Sequence, residues 1–88
     1  MNTAVENKVA ELVKLGTDYG FKAELVNIEG SYVIVKFNLV LRCKVITTEA
    51  GNASVVTIEG KHKVLNSSLE SKLSYYKSIV DRRLGKVA

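Results

Sequence analysis

No proline and no tryptophan occur in this chain, and cysteine and histidine occur once each. A single thiol cannot close an internal disulfide, and one cysteine with one histidine supplies no ligand cluster at metal-binding spacing. The six glycines stand singly where caps and turns would fall, so no glycine-rich phosphate loop exists. With no proline-rich linker, low-complexity tract or internal repeat, nothing divides the 88 residues, and they read as one small domain, 1–88, with a single core.

Uninterrupted apolar runs are missing as well. The stretch most like a membrane span is broken by Lys36, Asn38, Arg42 and Lys44, and the opening MNTAVENK has no signal-peptide pattern. No membrane association and a cytoplasmic location are therefore expected. Asn52-Ala53-Ser54 and Asn66-Ser67-Ser68 match the glycosylation pattern, but without a secretory signal they read as turn and cap residues.

What is present is alternation. From Val33 the odd positions are Val33, Val35, Phe37, Leu39, Leu41, Cys43 and Val45, while the even ones interleave Lys36, Asn38, Arg42 and Lys44 with Ile34, Val40 and Ile46. A period of two describes a β-strand with one dry face and one mixed, basic face. A straight strand of fifteen residues would span roughly 50 Å, whereas a compact chain of this length has a radius of gyration of roughly 12 Å. The strand is thus expected to bend at a bulge, to coil, or to project its 43–60 hairpin as an arm.

Both neighbours of this strand can be registered by number. A two-residue turn at Gly51-Asn52 makes opposed positions sum to 103, setting Cys43 against Gly60, Leu41 against His62, Lys44 against Glu59 and Arg42 against Lys61. A one-residue slip would carry Lys61 and Lys63 into the core, which favours that register. On the other side, Phe21 to Ile28 reads as a strand joined through Glu29-Gly30-Ser31. Pairs there sum to 60, so that Phe21 faces Leu39, Ala23 faces Phe37, Leu25 faces Val35 and Glu24 meets Lys36.

Helices flank the strands. Thr3-Ala4-Val5-Glu6 has capping-box spacing, Val5, Val9, Leu12, Val13 and Gly16 form an apolar stripe, and Gly20 is the expected C-terminal cap. Ser67-Ser68-Leu69-Glu70 repeats the box ahead of Leu69, Leu73, Tyr76, Val80 and Leu84, which predicts a second helix of about 18 residues stopping at Gly85. The expected fold is α+β in the order α-β-β-β-α, a three-stranded antiparallel meander with a long central strand and two helices packed on one face. That element order resembles double-stranded-RNA-binding domains. The chain has Glu29-Gly30-Ser31 in place of that family's GPxH-like loop and Ser67-Ser68-Leu69-Glu70-Ser71-Lys72 in place of its KKxAK run, so the resemblance covers order alone and assigns no family.

Charge points to function. The net +4 divides into −2 over residues 1–30, +3 over 31–65 and +3 over 66–88. Lys36, Arg42, Lys44, Lys61 and Lys63 are expected together on the outer sheet face, with Arg82, Arg83 and Lys86 as outriggers. Such a set suits sequence-independent contact with the phosphate backbone of DNA or RNA. Tyr32 alone offers a ring for base stacking, which favours duplex over single strand. The same face carries Ile34, Val40, Ile46 and Tyr32, and so much apolar surface suits the interface of a homodimer or of a protein partner. A small accessory or inhibitory factor, viral or from a mobile element, that acts on a host protein is the form that second reading takes. Cys43 and His62 are expected as packed residues of the dry face, and a dyad between them would lack a third, orienting group. Neither enzymatic activity nor a cofactor is expected.

Overall fold

The computed structural model describes residues 3–28, 32–61, 64–65 and 68–85. It contains α1 (Thr3–Asp18), β1 (Glu24–Ile28), β2 (Tyr32–Lys36), β3 (Leu41–Thr47), β4 (Ala53–Glu59), β5 (Val64–Leu65) and α2 (Leu69–Arg83). The strands pair in chain order, each antiparallel to the next, as a four-stranded meander with the two-residue β5 added at one edge. The class is α+β as expected, but the strand count is not three. The order α-β-β-β-α, and with it the likeness to double-stranded-RNA-binding domains, does not hold.

Both helices press on the odd-numbered face. Val5, Val9 and Leu12 of α1 and Leu73 of α2 join Val33, Val35, Phe37, Leu41, Cys43 and Val45 in one buried cluster. α1 reaches the sheet so closely because Gly16 lies in its stripe: a Cβ there would stand 2.9 Å from the Phe37 ring. The helix closes at Gly20, whose φ of 81° no side chain tolerates well. Its amide donates to Thr17 O and that of Phe21 to Gly16 O, the paired bonds that satisfy the last carbonyls of a helix.

The long central strand of the expectation is two strands. The chain reverses at Asn38, whose Oδ1 accepts the amides of Val40 and Leu41, each at 2.7 Å, while Phe37 N donates to Leu41 O. Three residues, Asn38, Leu39 and Val40, make the loop, so β2 and β3 pair with opposed numbers summing to 78. An even sum keeps odd opposite odd. The alternation therefore runs through the turn unbroken, and only the turn residues depart from it: Leu39 is 94% exposed instead of packed against Phe21. No arm projects, since β2 accompanies β3 as far as the Tyr32–Ile46 pair.

The register of β1 on β2 is the predicted one, with Glu24 opposite Lys36 and Leu25 opposite Val35. That of β3 on β4 is not. Gly51 and Asn52 belong to a longer loop, closed by Thr48 N on Asn52 O and by Asn52 N on Thr48 Oγ1, and Thr47 pairs with Ala53. Opposed numbers sum to 100, which sets Cys43 against Thr57, Lys44 against Val56 and Arg42 against Ile58. The objection to an odd-to-odd register disappears because β4 ends at Glu59 and Gly60, at φ 69°, turns the chain away before Lys61. His62, Lys63, the Glu29-Gly30-Ser31 loop, Ser67 and Lys86 lie outside the described residues. Ser68, at the start of α2, makes no side-chain cap bond, and the helix is 15 residues long.

Candidate binding surface

The face away from the helices is built by the even positions of four strands. The pairings lay out three rows across it: Glu24, Lys36, Arg42 and Ile58; Val26, Ile34, Lys44 and Val56; Tyr32, Ile46 and Ser54. Apart from exposed Glu24, these side chains are half-buried by their own neighbours. Of the expected interface residues, Tyr32, Ile34 and Ile46 share this face. Val40 does not; it sits in the β2–β3 turn at the end of the sheet.

The expected cationic set is divided. Lys36, Arg42 and Lys44 lie on the face, two of them directly opposed, an arrangement that repels unless answered. Glu24 answers it on the far side of Lys36, and Arg42 turns away to donate from Nη2 to Gly60 O at 2.6 Å. Arg42 thereby holds the exit of β4, and no partner among the described residues reaches its buried Nε. Lys44 lies over the Tyr32 ring, 4.2 Å from its centroid, a contact that stabilises by about 0.5–2 kcal/mol for half-buried groups. Lys61 follows Gly60 beyond the end of β4, off the rows, and is exposed. Arg82 and Arg83 stand at the C-terminal end of α2, on the helix side, where Arg82 donates to Ser78 Oγ. Of the eight expected cations, Lys36, Arg42 and Lys44 share one face, Lys61, Arg82 and Arg83 do not, and Lys63 and Lys86 lie outside the described residues.

Val56 and Ile58 complete the outer face, and sequence reasoning placed them inward. Their neighbour Val55 is apolar too, so β4 has no parity of its own to read.

Glu59, expected opposite Lys44, instead stands opposite Leu41 and faces the helices. It accepts a hydrogen bond from the Tyr76 hydroxyl and pairs with Lys72 at 3.1 Å, tying α2 to β4. Burial, and then the bond to the Glu59 carboxylate, push the Tyr76 hydroxyl up to about 12. Cys43 is fully buried, 3.9 Å from the Thr57 hydroxyl. Burial raises its thiol to about 11, with Thr57 opposing, so it stays protonated and unreactive as a small apolar residue. Among the described residues no three His, Cys, Asp or Glu side chains converge, and no helix is long and apolar enough to cross a membrane. Comparison with known proteins gives no match to a family model, to a curated protein or to a solved structure.

Proposed function

We propose that the protein is a non-enzymatic, cytoplasmic binding module whose outer sheet face docks a partner protein through a surface that is both apolar and acidic. One observation carries this reading. Positions that face water in a two-layer antiparallel fold are ordinarily polar, yet Val26, Tyr32, Ile34, Ile46, Val56 and Ile58 occupy them, with Lys36, Arg42 and Lys44 set among them. Apolar rows interrupted by a few charges of one sign are the composition of a recognition surface, in which the apolar groups supply affinity and the charges choose the partner. The sign disfavours a second copy laid face to face on the same rows. Glu24 is the one carboxylate among their described side chains, so such a dimer would bring cation against cation around Lys44.

The adjacent Lys36, Arg42 and Lys44 also favour a second reading, phosphate-backbone contact with DNA or RNA. It has a numerical signature. With Arg42 held by Gly60 O, Lys36 and Lys44 remain as two phosphate contacts, which give a log–log salt slope of about −1.8, an affinity loss of about 12-fold between 50 and 200 mM salt.

The test uses a photo-crosslinking residue in place of Val56, beside Lys44, with the exposed Lys14 of α1 as the control position. The expected result is one discrete crosslink from position 56 and none from 14, lost in Lys44→Glu, with Asp and Glu in the crosslinked peptide of the partner. Equal crosslinking from both positions, or none from 56, would overturn it. A 20-base-pair duplex bound with the slope above and released by Lys44→Glu would transfer the face to nucleic acid.

A further inference from the structure

The apolar stripe of α2 is longer than the core that receives it. Leu69, Leu73 and Tyr76 pack against the core, but Val80 is 42% and Leu84 62% exposed. Across from Val80 stands the β2–β3 turn with Leu39 at its tip, 94% exposed, and Val40 beside it, 39% exposed. Between helix and turn lies an open groove of about 310 Å³, lined by Phe21, Leu39, Val40, Tyr76, Ile79 and Val80, with Arg83 at its edge.

We infer that this end of the molecule binds a second copy of the chain, the Leu39 side chain of each entering the groove of the other. Three features select a second copy over another partner. A two-fold contact requires projection and recess on the same patch, and here the exposed leucine and the groove adjoin. The recess is large enough, since an apolar cavity of roughly 150 Å³ already admits a benzene-sized group. The groove is also sparsely charged: Arg83 is the one charged residue lining it, and Lys77 and Asp81 nearby on α2 are paired at 2.7 Å. Self-contact there brings together one lining cation per copy, against Lys36, Arg42 and Lys44 on the sheet. The Asn38 side chain, by fixing the turn through two amide bonds, presents Leu39 in one conformation before association, which lowers the cost of ordering it. This contact is separate from the rows of the outer face, so either can fail alone.

Sedimentation of the full chain tests it. The wild type is expected at twice the 9.7 kDa chain mass at about 100 µM. Leu39→Asp should sediment as a monomer with an unchanged far-UV spectrum, its association weakened roughly 1,000-fold because two leucines leave each dimer. Val80→Asp should do the same. A second measurement needs no destabilised variant: Leu39→Cys mixed with Val80→Cys should form an intermolecular disulfide on mild oxidation. A wild type at 9.7 kDa throughout, a dimer that survives both aspartates, or one lost instead on Ile34→Asp would overturn the inference.

Discussion

Leu73→Ala should release α2 from the sheet while leaving α1 in place. Leu73 is the one fully buried residue of α2, at 0% exposure, and sits in the same cluster as Val35, Leu41 and Val45. The helix is otherwise held by half-buried Leu69 and Tyr76 and by the links of Glu59 to Tyr76 and Lys72. Removing three carbons costs about 2.4 kcal/mol of transfer free energy, and the void left behind brings the total to about 3–4 kcal/mol. A chain of this length has a stability of roughly 4–13 kcal/mol, so a quarter or more is lost. The melting temperature should fall by about 15–25 °C. Urea unfolding followed by far-UV circular dichroism measures the loss, and amide hydrogen exchange locates it: protection in α2 should drop further than protection in α1, whose contacts with β2 and β3 are untouched. A loss below about 1 kcal/mol, or equal deprotection of the two helices, would show that Leu73 does not anchor α2 and would refute the reasoning.

Other perturbations separate the remaining contributions. Asn38→Ala removes the acceptor of two amide bonds in the β2–β3 turn and should cost about 1–2 kcal/mol in urea unfolding; a neutral result would mean that water replaces the side chain there. Gly16→Ala gains about 1 kcal/mol of helix propensity, but its methyl would stand 2.9 Å from the Phe37 ring, and overpacking costs about 1–3 kcal/mol. Net destabilisation is expected, and a stabilised variant would show that the ring yields. Cys43 should resist a thiol reagent in the folded protein at pH 8 and react at once in urea; rapid native labelling would contradict its burial. Alkali should weaken the fold. The folded pKa values of Cys43 and Tyr76 are raised, from 9.0 to about 11 and from 10.0 to about 12, so each contribution is full below the lower value and lost as pH rises through the higher. The urea midpoint should therefore be flat from pH 7 to about 9 and fall beyond it, and a flat midpoint to pH 11 would contradict those shifts.

Much of the architecture was legible because it depends on short-range periodicity. The period of two put Val33, Val35, Phe37, Leu41, Cys43 and Val45 inward, the helical stripe put Val5, Val9, Leu12 and Gly16 against them, and Gly20 closed α1. Glu24 opposite Lys36 and Leu25 opposite Val35 settled the first hairpin, since the alternative put charge against the dry face. The β2–β3 turn was illegible for a geometric reason. Its three-residue loop preserves parity, so a folded hairpin and one long strand present the same alternation, and Asn38 was the lone local sign of reversal.

The binding face was legible in its central cations and illegible at its edges. With apolar residues at both parities, β4 could satisfy two registers. Gly60 decided between them by ending the strand before Lys61, and Glu59 could then face the helices because Tyr76 and Lys72, from a different element, answer its charge. Sequence alone determined which side chains must leave water, because that follows from each residue and its near neighbours. Which cations share a surface, and where apolar groups stay exposed, was decided by loop lengths and by contacts between residues distant in the chain, which only tertiary structure brings together.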